Sequence, residues 1–415
     1  MGALILSFLK LFLIAGATLY FTNNVSARTS CRTLFVHNSE NWSQNLDIHR
    51  GLPLEELRDN SAGRWLEVTP KEWVHYEIFG KSGPVLIHFE GLGGQIETSL
   101  RNQFLKEFTK KGRVLVIEME GQGLSEVHTR LSLEAQRRDL AREISYEKNL
   151  EVLEIALSKI LNHENISQEL IHSWSGHSFG GLTLAGLAQM EFLRGSAPLL
   201  QFVATGVANF NHRLISDHDN AKLHFYGQMM GWLVPKSDRL VVQTASRRLR
   251  EDPLMSQFRQ DPVKMEAAIG LTLGAGRVDA VHFPEHFPKG TRVQIFSAAN
   301  DTVLFNMLHW ELAEAARLAG HQVQLIFVDG VSHYLPQDLN RAQVKAKLKM
   351  TQNPERFKAD FYRLTRSGQI LPLTFEEALL LFKASSFRTW ELQKSSLVEI
   401  FSGLGQTPRY PEDWQ

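Results

Sequence analysis

Gly176-His177-Ser178-Phe179-Gly180, followed by Gly181, places a serine between glycines at the spacing of a nucleophile elbow. In that turn an apolar strand runs into a helix almost without a loop. Small residues two before and two after the serine let backbone segments approach closely, and the sharp geometry lifts the hydroxyl out at the carboxyl edge of a sheet. A serine hydroxyl is a weak nucleophile until a base takes its proton, so the elbow needs a base and an acid that orients the base. Asp301 and His333 supply these types in the required chain order of serine, acid and histidine. Asp301 follows the apolar run 293–296 through Ser297-Ala-Ala-Asn300, and His333 follows the run 323–328 through Asp329-Gly-Val-Ser332. Asp329 is the rival acid. Only four residues before His333 on one turn, it is better placed to shape the loop than to orient the ring from behind. The bland readings are a glycine-rich turn and a solvated loop histidine, one of 16 in the chain.

Acyl transfer also needs donors for the charge that develops on the carbonyl oxygen. Glu90-Gly91-Leu92-Gly93-Gly94 closes the apolar run 84–89, and its glycines allow backbone N–H groups to turn toward the serine. The N–H groups of Leu92 and Phe179 are the expected pair. No metal and no cofactor is expected for this chemistry.

The elements that must position these residues read as an alternation of strands and helices. Runs at 65–68 and 73–79 suggest a leading hairpin. Runs at 84–89 and 113–118, with a helical stretch over 98–110 between them, make a βαβ unit. A helix-forming region over 131–161, a strand over 170–174, an Ala/Leu-rich helix over 179–194 and a strand over 200–204 follow. From about 209 to 287 the pattern is helical without a clear strand, which reads as an inserted cap. Strands at 293–296 and 323–328 resume the sheet around a helix over 304–319. Beyond His333 the chain reads as mostly helix, with a capping box at Thr374-Phe-Glu-Glu377.

The expected organisation is a signal peptide over 1–27, a hydrolase core over 28–208 and 288–340, a cap over 209–287 and a helical C-terminal extension over 341–415. Lys10, the apolar stretch 11–21 and Val25-Ser26-Ala27 have the layout of a secretory signal, which implies an exported protein. The alternative is an uncleaved N-terminal anchor. Asn41-Trp42-Ser43 and Asn165-Ile166-Ser167 match the glycosylation acceptor pattern, which arises often by chance.

The motifs together resemble the α/β-hydrolase family, and within it the serine esterase branch of monoacylglycerol lipases and lysophospholipases. The elbow 176–181, Gly121-Gln-Gly-Leu-Ser125, Asn300-Asp-Thr-Val303 and Gly330-Val-Ser-His333 are similar to that branch's segments over roughly 73–336. The resemblance implies an α/β-hydrolase fold, a mostly parallel central sheet flanked by helices with an inserted helical cap. It also implies a Ser178, Asp301, His333 triad. Glu90 and Glu120 depart from the pattern, standing where a histidine and an arginine are usual.

Composition narrows the function classes. The chain has 415 residues, 43% hydrophobic, with 45 basic and 45 acidic side chains and one cysteine. Such a chain can bury a sizeable core, which excludes disorder, and a lone cysteine excludes a disulfide framework. With no net charge and no basic run, nucleic acid is not an expected partner. The leading expectation is a serine carboxylic-ester hydrolase acting through an acyl-enzyme on single-chain, lipid-like acyl esters, with peripheral contact to membrane lipid. Cap residues Phe225, Met229, Met230, Trp232 and Leu233 would wall the acyl chain, or else form only the cap's own packing. The alternatives are an amidase or aminopeptidase on the same triad, and a non-catalytic binding protein on the hydrolase scaffold.

Overall fold

The computed structural model describes residues 33–36, 47–50, 64–69, 72–92, 94, 96, 99, 102–119, 122, 125, 146–190, 199–205, 271, 280–301 and 303–403. The expected signal segment, Cys31, Glu120, the sequon at Asn41, the first half of the 131–161 helix, nearly all of the cap and the end of the chain lie outside these residues.

Strands β1 (Thr33–Val36) and β2 (Asp47–Arg50) form an antiparallel pair. A 10-stranded sheet holds the rest: β3 (Arg64–Thr69), β4 (Glu72–Phe79), β5 (Val85–Phe89), β6 (Arg113–Ile117), β7 (Ile171–His177), β8 (Leu199–Val203), β9 (Arg292–Asn300), β10 (Gln322–Ser332), β11 (Phe361–Leu364) and β12 (Ile370–Pro372). Their spatial order is β12-β11-β10-β9-β8-β7-β5-β6-β4-β3. Every neighbouring pair from β6 to β11 is parallel, and antiparallel pairs close both edges.

Central strands are apolar on both faces because helices cover both. In β5, Val85, Ile87 and Phe89 point into one core and Leu86 into the other, and all are buried. Helices α1 (Gln103–Phe108) and α6 (Arg341–Gln352) pack on the Leu86 side. The opposite side is covered by α2 (Tyr146–His163), α3 (Phe179–Leu187), α4 (Asn306–Leu318) and α7 (Phe375–Gly403). A short helix α5 (Leu335–Asp338) follows β10. Among the described residues, no helix is long and apolar enough to cross a membrane.

The structure corrects the sequence reading in two places. The expected strands at 170–174, 293–296 and 323–328 are longer, reaching His177, Asn300 and Ser332. Their ends are small or polar residues that break the apolar pattern but still find ladder partners, as in the pairings Gly176 with Phe202 and Ser332 with Asn300. Residues 341–415 are also not simply a helical extension. Between α6 and α7 the chain returns to the sheet as β11, parallel to β10, and β12 turns back against it. These strands are four and three residues long, too short to show a period, and their identity comes from pairing, β11 on the edge of β10 and β12 on β11.

Candidate active site

The lengthened strands end where chemistry was expected. Ser178 directly follows β7, Asp301 directly follows β9 and His333 directly follows β10, on parallel strands that share a carboxyl edge.

Ser178 joins β7 to α3 with φ 51° and ψ −119°, a conformation rare for a residue with a side chain. Such a residue carries a strain of about 1–3 kcal/mol, tolerated only where the surroundings enforce it. Here they do. A Cβ on Gly176 would lie 2.3 Å from the Gly180 carbonyl oxygen, and one on Gly180 would lie 2.2 Å from that of Phe89. The Ser178 N–H donates to the Val203 carbonyl at 2.9 Å, and Gly181 N–H returns to the Ser178 carbonyl at 3.0 Å.

His333 places Nε2 2.9 Å from Ser178 Oγ and Nδ1 2.9 Å from Asp301 Oδ2. The other oxygen of Asp301, Oδ1, accepts from the N–H groups of Val303 and Leu304, each at 2.8 Å. Burial opposes ionisation of Asp301, but the adjoining His333 ring and these backbone donors outweigh it and hold the carboxyl below its ordinary range. An ionised Asp301 keeps the imidazole proton on Nδ1, which leaves the Nε2 lone pair for the serine proton. The rival acid is occupied elsewhere: both oxygens of Asp329 accept from Arg363 Nε of β11, at 3.0 and 2.9 Å.

The loop after β5 lies over the serine, with a Cβ on Gly91 set to fall 3.2 Å from Ser178 Cβ. Gly94 N–H closes this turn on the Gly91 carbonyl at 2.8 Å, and Leu92 packs half-buried against the core. Phe179 opens α3, so its N–H has no carbonyl of an earlier helical turn to bond. Glu90, the departure from the family pattern, is buried beneath the loop. Its Oε1 accepts from Ser99 Oγ at 2.6 Å and lies 3.2 Å from His88 Nε2. Burial disfavours its charge, yet His88 and His177 outweigh that and hold the carboxyl well below the usual range. A carboxylate here ties the end of β5 to His88 on the sheet and to Ser99 beyond the loop.

Several residues that sequence reasoning passed over stand around this group. His177, inside the elbow, sets Nε2 2.8 Å from the His333 main-chain carbonyl, and burial foremost lowers its ring below the ordinary imidazole range. By donating from Nε2 to that carbonyl, His177 braces the loop that carries His333. His309 of α4 is fully buried, held down to about 4 chiefly by that burial, with Nδ1 2.7 Å from Ser297 Oγ. The elbow motif fixes the place of His177 but not its partner, and no motif marks His309. Among the described residues, no group of three or more His, Cys, Asp or Glu side chains is arranged to hold a metal ion.

The fold is the α/β-hydrolase fold. No protein-family model matches the sequence, and no curated protein matches it. Solved structures that are similar include the enol-lactonase from Burkholderia xenovorans LB400, 16% identical, covering 71% of this chain and 98% of that one at a TM-score of 0.45. A carboxylesterase of the ammonia-oxidising thaumarchaeon Nitrososphaera gargenis is 17% identical, covering 70% of this chain and 100% of its own at a TM-score of 0.48. MGS-M2, an α/β-hydrolase enzyme from a deep-sea metagenome library of the Medee basin, is 16% identical, covering 71% and 94% at 0.48.

Proposed function

We propose that this chain is a serine hydrolase of carboxylic esters that works through an acyl-enzyme. The observation that carries the reading is the unbroken hydrogen-bonded line from Ser178 Oγ through His333 to a buried Asp301 at the carboxyl edge of the sheet. Ser178 Oγ bonds to the acyl carbon as His333 Nε2 takes its proton, and the carbonyl oxygen gains charge beside the N–H groups of Leu92 and Phe179. The C–O bond to the alcohol then breaks as His333 returns the proton to it. A water deprotonated by the same nitrogen attacks the acyl-enzyme and releases the acid and Ser178.

The preferred substrates in this reading are single-chain esters with medium or long acyl groups, of the lysophospholipid or monoacylglycerol type. Support comes from the large apolar side chains in the insertion between β8 and β9 and from the motif resemblance. Export by the N-terminal segment, and peripheral contact with membrane lipid, belong to the same proposal. Each buried methylene contributes about 0.8 kcal/mol, so four more held in an apolar slot raise kcat/KM by about two orders of magnitude if burial is fully expressed in the transition state. The test pairs fluorophosphonate labelling of the protein and of Ser178→Ala with a chain-length series measured below micelle formation, aminoacyl amides included. Labelling that survives Ser178→Ala refutes the nucleophile. A series flat from acetyl to decanoyl refutes the lipid-ester preference, and faster amides would make the chain an amidase.

A further inference from the structure

Helix α7 lies at the far end of the chain from the elbow, yet it bonds to the loop that bears Asp301. Its first turns are anchored by packing. Phe382 is fully buried, with its ring centroid 5.3 Å from that of Phe327 on β10 and 5.7 Å from that of Trp310 on α4. One turn further on, the buried face changes character from apolar to hydroxyl-bearing, with Ser385, Ser386 and Thr389 all buried. A buried hydroxyl stabilises a helix interface only where it finds a partner, and each of these finds one on the segment 299–307. Ser385 Oγ donates to the Ala299 carbonyl at 2.9 Å and accepts from Asn306 Nδ2 at 2.6 Å. Ser386 Oγ accepts from Met307 N–H at 2.8 Å. Thr389 Oγ1 donates to the main-chain carbonyl of Asp301 itself at 2.6 Å, closer than its back-bond to the Ser385 carbonyl at 3.1 Å. Arg388 Nη1 adds a bond to Asn300 Oδ1 at 3.0 Å.

These bonds matter because Asp301 takes its aim from its own loop. Its Oδ1 is spent on Val303 and Leu304, so the direction of Oδ2 toward His333 follows the placement of the backbone at Asp301, Val303 and Leu304. The Asp301 carbonyl accepts from Thr389 Oγ1, which ties that backbone to α7. Resting on the serine hydrolase reading, we infer that α7 is the positioning element of the catalytic acid and that Thr389 is its central positioning residue. The segment beyond the sheet's last strand is then part of the machinery of turnover rather than an appendage.

The test is Thr389→Val, which keeps the shape and removes the donor, with Thr389→Ser as the variant that restores it. Both are measured on the full chain with a soluble ester, beside Asp301→Asn and the Asp301→Asn/Thr389→Val double variant. A displaced acid misorients the base in the transition state, so Thr389→Val lowers kcat about 10- to 100-fold with KM changed less than about twofold. Thr389→Ser returns kcat to within about threefold of the parent. Because Thr389 acts through Asp301, the valine change costs less than about threefold once Asp301→Asn is in place. Full multiplication of the two losses, parental kcat in Thr389→Val, or equal impairment of the valine and serine variants overturns the inference. If Thr389→Val does not fold, Ser386→Ala goes through the same cycle under the same criteria. Failure of the underlying reading looks different, since Ser178→Ala would then keep its turnover and its fluorophosphonate labelling.

Discussion

Replacing Asp301 by asparagine changes one atom, and the surroundings of Asp301 dictate which way the new amide must face. Oδ1 accepts two backbone N–H bonds, from Val303 and Leu304 at 2.8 Å each, so the amide nitrogen cannot occupy that position without opposing two donors. The oxygen therefore stays there and the NH2 group takes the place of Oδ2, 2.9 Å from His333 Nδ1. At 1% exposure no bulk water intervenes to relieve the conflict. The ring answers by moving its proton to Nε2, which then points at Ser178 Oγ from 2.9 Å as a donor. A base that presents a proton to its nucleophile cannot accept one. Such a tautomer error costs about four orders of magnitude in kcat/KM, or about 5.5 kcal/mol of barrier. Initial rates on a p-nitrophenyl ester measure it, with thermal melting to verify the fold. Asp329→Asn is the matched control. It removes a partly exposed pair with Arg363, so it costs at most about 1 kcal/mol of stability and leaves turnover within about threefold. Activity of Asp301→Asn within tenfold of the parent, or a lower rate for Asp329→Asn, would show the argument about the acid to be wrong.

Three further outcomes are expected. Gly180→Ala forces a Cβ against the Phe89 carbonyl and should destabilise the fold by about 3 kcal/mol or more, read as loss of soluble protein or a large drop in denaturant midpoint; a well-folded, active alanine variant would contradict it. Burial pulls Lys347 down from 10.5 to about 7, with the Phe104 and Phe296 rings over its ammonium, at 4.1 and 4.6 Å from the centroids. Between those two pH values the unfolded chain holds a proton that the folded one does not, so the stability of the parent relative to Lys347→Met rises with pH. The variant should be the more stable by up to about 5 kcal/mol at pH 7 and below, and this lead should fade toward pH 10, as urea unfolding at several pH values would show; a lead that grows with pH would refute the sign. Phe382→Ala empties the contact of α7 with Trp310 and Phe327 and should cost about 3–5 kcal/mol in the same unfolding assay, a cost under 1 kcal/mol meaning that α7 is not held by this ring.

The nucleophile elbow, its glycines, the order of acid and histidine and the strand-helix alternation were legible in the residues alone. Each depends on local chemistry: glycines where a Cβ has no room, and apolar runs where a strand is covered on both faces. The choice between Asp301 and Asp329 rested on an argument about loop placement, and only the assembled structure shows what occupies Asp329, because Arg363 arrives on the neighbouring strand β11 from 34 residues along the chain. The same holds for β11 and β12, whose few residues carry no periodic signal and become strands by pairing on an edge built by distant segments. Thr389 and Ser385 have ordinary types in unremarkable contexts, and His177, though inside the elbow motif, has a partner that the motif does not name. Their parts in the site come from partners 79 to 156 residues away along the chain, brought close by packing of the two helical layers on one sheet. A sequence displays the residues that a local turn demands, whereas contacts between segments far apart along the chain are written only in the shape into which their apolar faces settle.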